Sequence, residues 1–434
     1  MYEAHHPHHA APERLLILGE TTWRRQYQRF GLYEADRLRH LYLLGKTGTG
    51  KSTLLGSLIA QDLVAGRGLA VLDPHGPLVS EALSRLGASH PNRTLLFRPA
   101  DKEFPVSFNV FRARQELSTD VPLLASNLIA VFKKQWSAFW GPRLEHVLRN
   151  AILAVADDQR ATLLFLYRFL TNETLRAKVV EKTTDPIVRE FWTKEWPGYG
   201  PRLQAEAVAP VLNKLGSFLS SATVRNIVGQ ERSRVDLRQL MDCGGVLLAD
   251  LAVGELGEDA SHLLGGLLLS SLHLSALGRP PGSRPFFIYA DEFQHFVTDS
   301  LASMLSESRK FGLGLVLAHQ YLGQLPEGLR QAVLGNTGSL VLFRLGAEDA
   351  QLLEGEVEPQ FTALDLREMA AYHFAARLLA RGAQLPAFSA RTIPVPPAEP
   401  GAHETAQRII AQSRQRFAAR REDVEPFIAG ASSG

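Results

Sequence analysis

Between an apolar run, His40–Leu44, and a segment with leucines at helical spacing, Ser52–Ala65, the chain carries Gly45-Lys46-Thr47-Gly48-Thr49-Gly50-Lys51-Ser52. This string satisfies G-x-x-x-x-G-K-[ST] after a strand and at the opening of a helix, the one context in which the pattern has physical meaning. Its glycines permit backbone angles that turn amide N–H groups inward around phosphates. The helix that follows contributes the positive end of its dipole. Lys51 is expected to reach the β- and γ-phosphates, Ser52 to ligate Mg²⁺, and Thr53 to bond the α-phosphate of ATP.

The flanking sequence extends the strand–helix alternation that such a loop requires. Leu69–Leu72, Thr94–Phe97, Val246–Leu251, Phe286–Ala290, Leu313–Leu317, Ser339–Leu345 and His373–Leu379 are short apolar strand-like runs, and Ala260–Leu277 reads as a helix. Strands separated by helices imply a mainly parallel sheet with helices on its faces. From about Arg112 to Val235 the period changes to about 3.6, as in Leu124, Leu128, Val131 and Phe132, or Leu144, Val147, Leu148, Ile152 and Val155. The expected fold class is therefore α/β, with an all-helical insertion. Pro394–Pro400 reads as a linker. The helix expected over Glu404–Arg421 bears Arg408, Arg414, Arg416, Arg420 and Arg421, either as a solvated face or against nucleic acid or a neighbouring subunit.

A second constellation points to hydrolysis rather than binding alone. The apolar run Phe286–Ala290 ends in Asp291-Glu292. Two adjacent carboxylates at the carboxyl end of a buried strand are costly without chemical partners, and a Mg²⁺–phosphate group is such a partner. Asp291 is expected to hold the metal and Glu292 to orient the attacking water. His319-Gln320 ends another strand on the same edge, where open α/β sheets bind ligands, so Gln320 is placed to sense the γ-phosphate or position water. Asp73 and His75 end a third; Asp73 fits either support of the metal or a turn, whereas His75 fits a turn better.

Composition narrows the class. Lys+Arg total 47 against 45 Asp+Glu, so a nucleic-acid surface would have to be local rather than global. The single cysteine, Cys243, excludes an intrachain disulfide framework and suggests a reducing compartment. No stretch reads as the roughly 20 apolar residues of a membrane span; the best candidate, Leu263–Leu274, is short and interrupted by Gly265, Gly266 and His273. The N-terminal His5, His6, His8 and His9 fit a disordered tail better than a metal site, and the region is not a secretion signal. A cytoplasmic location is expected.

Together, Gly45–Ser52, Leu72-Asp73-Pro74-His75-Gly76, Asp291-Glu292-Phe293 and Ala318-His319-Gln320 resemble the HerA–FtsK superfamily of DNA-pumping motors. Within it the chain is most similar to the type IV coupling ATPases of conjugative DNA transfer. That similarity adds Trp140–Glu145, Asn213-Lys214, Ser306–Gly312, Gly335–Gly338 and Phe343–Gly346, and it runs from about residue 30 to 395. The resemblance implies a RecA-like core over residues 36–112 and 236–393 and an all-helical domain over 113–235. A lead-in would occupy 1–35, and the linker and Arg-rich helix 394–434. It further implies a homo-hexameric ring around DNA and a role for Arg309 as an arginine finger reaching the neighbouring subunit's site, with Lys310 a weaker candidate. Many coupling proteins begin with transmembrane helices and HerA proteins with a small β-barrel; neither is seen here, so attachment to the inner membrane face is expected to need a partner.

Lys133, Lys134, Trp136, Phe139, Trp140 and Arg143 combine basic and aromatic residues that can grip phosphates and stack bases, although Trp136 and Trp140 fit a buried helix face better. The leading expectation is an ATP-driven DNA translocase of the conjugative coupling type, with secretion-channel or relaxase partners. The alternatives are a HerA-like motor partnered with a nuclease, and a nucleotide-switched factor that delivers protein cargo.

Overall fold

The computed structural model describes residues 15–22, 27–87, 91–112, 120–137, 140–298, 300–395 and 401–430. The histidines at positions 5, 6, 8 and 9, together with Phe139 and residues 396–400 of the expected linker, lie outside this set. Thirteen strands occur among the described residues: β1 Leu15–Thr21, β2 Arg29–Tyr33, β3 Leu41–Leu44, β4 Gly68–Asp73, β5 Thr94–Phe97, β6 Val246–Asp250, β7 Phe286–Ala290, β8 Leu313–His319, β9 Ser339–Leu342, β10 His373–Arg377, β11 Leu379–Ala380, β12 Ala383–Gln384 and β13 Phe388–Arg391.

Eleven strands form one sheet in the order β2-β1-β13-β10-β9-β3-β8-β7-β4-β6-β5. From β9 to β5 every pairing is parallel. From β9 to β2 every pairing is antiparallel. The central strands are buried on both faces, which is why they read as unbroken apolar runs. Alternate residues feed opposite cores. Tyr42, Leu44, Phe286, Ile288 and Ala290 face one; Leu41, Leu43, Phe287 and Tyr289 face the other. The second face carries the phosphate-loop helix Lys51–Val64 through Leu54, Leu55 and Leu58. The first carries the helix Glu258–Leu277, whose core continues without a break into the helices between β5 and β6.

Those intervening helices include Val121–Gln135, Pro142–Ala156, Leu163–Thr171, Glu173–Lys182 and Gly200–Ser220; no named strand occurs among the described residues between β5 and β6. Trp136 settles into this core, 7% exposed and stacked on Phe132 at 4.7 Å and 9°. Trp140 differs: it is half-buried, and its indole N–H donates to Glu145 Oε2 at 2.8 Å. Lys133, Lys134 and Arg143 are exposed.

Three expectations change. Leu15–Thr21 and Arg29–Tyr33, read as part of a lead-in, form β1 and β2 and extend the sheet through β13, a strand that the sequence reading passed over. The helix expected over Glu404–Arg421 ends at Phe417, where Ala418 bridges Val106, and a separate helix spans Arg421–Gly430. Its arginines stay exposed and bond at the surface: Arg414 pairs with Asp101 at 2.7 Å and Arg416 donates to Asn92 O, while Arg421, in the next helix, pairs with Glu425 one turn on at 2.8 Å. Leu96 of β5 donates to Ser413 Oγ at 2.8 Å, so this helix covers the sheet edge that β5 would otherwise expose. Lastly, Glu258–Leu277 is long and apolar enough to cross a membrane, with a mean hydropathy of 1.3, yet it is mostly buried inside the fold. A helix apolar on all sides is equally what a deep core demands.

One buried network joins the phosphate-loop helix to β7. Asp62 accepts from Arg37 at 2.9 and 2.5 Å, from Arg67 at 3.1 Å and from the Tyr289 hydroxyl at 2.6 Å. The Arg37 guanidinium lies over the Phe287 ring, 3.5 Å from its centroid. A carboxylate with no exposed surface tolerates this position only because every lone pair has a donor.

Candidate nucleotide site

The parallel strands end on one edge at Leu44, Asp73, Asp250, Ala290 and His319, and the functional side chains gather there. The phosphate loop is held from behind. Lys46 N–H donates to Arg344 O at 3.0 Å, Tyr372 N–H to Thr49 O at 2.7 Å, and Thr49 Oγ1 to Lys46 O at 2.7 Å. A Cβ at Gly45 would meet Phe343 Cβ at 2.5 Å, and Gly50, with φ +118°, caps the helix in a conformation that favours glycine. Lys46, Thr47, Gly48 and Ser52 are exposed, Thr53 is half-buried, and Thr49 and Gly50 are buried. Lys51 Nζ donates to Gly45 O at 2.5 Å and Lys46 O at 3.2 Å. Burial lowers the pKa of Lys51, while Glu292 and Asp291 act in the opposite direction.

Asp291 and Glu292 follow β7, each 7% exposed. Burial first, then the neighbouring charges of Glu292 and Asp73, push the Asp291 carboxyl up to about 6, against the pull of Lys51 and the Glu292 N–H. A cation beside it would relieve both causes, and Mg²⁺ needs only one or two protein ligands when phosphates supply the rest. Asp291 and Ser52 fit that role. Glu292 has φ +44°, a left-handed backbone in a non-glycine residue. Its Oε1 accepts from Gln320 Nε2 at 2.9 Å and its Oε2 from Gln294 Nε2 at 2.8 Å. The structure thus joins Gln320 directly to Glu292. The Gln294 contact has no sequence signature beyond its place two residues on.

Asp73 resolves toward the turn: Oδ1 accepts from His75 N–H at 2.9 Å, and Oδ2 from Leu78 and Val79 N–H at 2.8 and 3.2 Å. His75 is exposed. His319 is fully buried, 2.5 Å from the Tyr42 hydroxyl, and burial lowers its pKa to about 3, so the ring is neutral. Asp250, which sequence reasoning missed, adds a further carboxylate: it pairs with Arg98 at 3.3 Å, and burial raises its pKa. Its signal was available, since it ends an apolar run as Asp73 does.

Arg309 and Lys310 stand elsewhere. They occupy the turn Ser308–Phe311 that precedes β8, at the amino edge of the sheet, and both are exposed. The seven residues of β8, at ~3.3 Å each, put about 20 Å between Arg309 and the end where Gln320 meets Glu292. No hydrogen bond or ion pair engages the Arg309 side chain among the described residues.

Residues 33–253, just over half of the chain, match the family model described as Helicase HerA, central domain. The chain belongs to the HerA family. Solved structures agree with this placement in fold. The bacterial conjugative coupling protein TrwBdeltaN70, in its unbound form, is similar at 16% identity over 90% of this chain and 97% of its own, with a TM-score of 0.61. Plasmid coupling protein TrwB in complex with the ATP analogue ADPNP gives 18%, 85%, 88% and 0.62 for the same measures. VirB4 of Thermoanaerobacter pseudethanolicus gives 15%, 90%, 98% and 0.56. No curated protein matches the sequence. The HerA-family chain therefore has the RecA-like P-loop ATPase fold, close to that of the type IV coupling proteins.

Proposed function

We propose that this chain is an ATP-hydrolysing motor that moves DNA, working as a homo-hexameric ring in the manner of conjugative coupling ATPases. The observation that carries this reading is the separation of Arg309 from its own site: a free guanidinium at the amino edge, with Lys51, Asp291 and Glu292 on the carboxyl edge. In a head-to-tail ring the exposed arginine of one subunit reaches the phosphates of the next, where its planar fork stabilises charge on the transferring phosphoryl group. Lys51 and residues Gly45–Thr53 hold ATP, and Ser52 and Asp291 hold Mg²⁺. Glu292, aligned by Gln320, takes a proton from the attacking water. TrwB has been solved in complex with ADP and Mg²⁺, which supports this ligand pair.

In this reading the motor core takes in β1 and β2 as well as residues 36–112 and 236–393, and residues 113–235 are the helical domain that meets DNA or a secretion-channel or relaxase partner. Such a partner would also bring the motor to the cytoplasmic face of the inner membrane. The test is complementation. Arg309→Ala and Glu292→Gln proteins are each assayed alone and then mixed, with DNA present. Each alone is expected to be inactive, whereas mixed rings contain interfaces with an intact Glu292 from one subunit and an intact Arg309 from the next, and so regain ATPase activity. Full activity of Arg309→Ala alone, or ATP turnover and particle size both indifferent to DNA, would remove the ring-motor reading. The HerA family match also favours a second reading, a DNA-processing motor partnered with a nuclease. Co-purification with a nuclease rather than a relaxase would select it.

A further inference from the structure

Gln294 lies in the short turn Phe293–His295 directly after the paired carboxylates, and it is 7% exposed. Its Nε2 donates to Glu292 Oε2 at 2.8 Å and lies 3.3 Å from His295 Nε2, so its amide stands between the carboxylate and the imidazole. Its Oε1 is buried without a hydrogen-bond partner. Gln320 Nε2 occupies the other oxygen of Glu292. Each carboxylate oxygen has two lone pairs, so the two amides use one on each side and fix the direction of those that remain. The backbone of Glu292 is itself in the left-handed region, a conformation that persists only where the surroundings enforce it.

The amide has a firm mounting. The His295 ring stacks on His262, with centroids 4.3 Å apart and planes at 16°. His262 lies in the second turn of the buried helix Glu258–Leu277. Asp259, in the first turn, accepts from Gln135 Nε2 at 3.3 Å, at the end of Val121–Gln135 in the helical region. A continuous series of contacts therefore runs from the helical region to the Glu292 carboxylate.

We propose that Gln294 is a positioning residue for hydrolysis: its amide N–H holds the Glu292 carboxylate in the orientation that receives a proton from the attacking water. The proposal rests on the reading of Glu292 as the base. In the step concerned the water oxygen bonds to the γ-phosphorus and the bond from that phosphorus to the bridging oxygen breaks. ADP and inorganic phosphate leave, and the proton passes to Glu292.

The test uses the full-length protein with ATP, Mg²⁺ and DNA, and compares Gln294→Met, which keeps length without polar atoms, with Gln294→Glu, which keeps acceptors but loses the donor. Steady-state kcat is measured beside the Kd for a fluorescent ATP analogue, and Glu292→Gln is assayed in parallel. Both Gln294 variants are expected to bind nucleotide within about twofold of the parent while kcat falls roughly ten- to hundredfold, the range that misplacement of a reacting group produces. Unchanged kcat in either Gln294 variant, with Glu292→Gln inactive, overturns the positioning role alone. Loss of nucleotide binding in step with kcat overturns it too, because it marks a merely structural residue. Full turnover by Glu292→Gln removes the base reading, and the proposal with it.

Discussion

Replacing Asp291 with Asn should make the nucleotide-free protein more stable while ending Mg²⁺-dependent turnover. In the folded chain the Asp291 carboxyl is raised from 3.8 to about 6 by burial and by Glu292 and Asp73. A folded-state pKa above the unfolded value means that the folded state binds the extra proton between those values, so stability falls as pH rises through that window and levels off above it. The shift, 6 − 3.8 = 2.2 units at 1.36 kcal/mol each, places the full penalty at about 3 kcal/mol. Asp291→Asn removes the ionisation and should recover about 3 kcal/mol at pH 7.5. At pH 5, where the native carboxyl is mostly protonated, the same linkage leaves roughly half of that gain. The assay is urea unfolding of both proteins at the two pH values, without nucleotide or divalent cation and followed by tryptophan fluorescence. No gain at pH 7.5, or a gain that does not shrink at pH 5, would refute the account of Asp291 as a buried charge kept for its metal.

Two further outcomes follow from packing. Asp62→Ala leaves the Arg37 guanidinium buried without its carboxylate, and breaking a buried pair of this kind should cost roughly 3–5 kcal/mol, read as a lower urea midpoint. Gly45→Ala brings a Cβ to within 2.5 Å of Phe343 Cβ, so the loop must shift; overpacking of this sort costs about 1–3 kcal/mol and should weaken ATP binding, measurable by calorimetry.

What the sequence made legible was local. The phosphate loop, the Asp291-Glu292 pair and the strands Thr94–Phe97 and Phe286–Ala290 each carry their signal within a few consecutive residues, and the structure has them at those bounds. The antiparallel edge was not legible, because β1 and β13 are only partly buried and so lack an unbroken apolar run, and they lie far apart along the chain, with Glu20 opposite Arg391. The position of Arg309 needed the family resemblance, since a charged residue in a turn has no local mark of purpose. Gln294 was missed for a related reason: an amide gains meaning only from the carboxylate it touches, and the backbone angle that brings them together at Glu292 is invisible in the sequence. The arginines of Ala402–Phe417 illustrate the converse. A charged helix face read as solvated is exposed in the structure, yet its arginines also find acceptors some three hundred positions earlier, which no local pattern announces.

Strand β8 has its seven residues buried, with exposed Arg309 just before it and Gln320, bonded to Glu292, just after it. In the proposed ring those two ends belong to two successive sites. If that ring forms, loss of phosphate from one site would free the arginine that faced it, and β8 is the short covalent path from that arginine to the Gln320 that holds Glu292 in the arginine's own subunit.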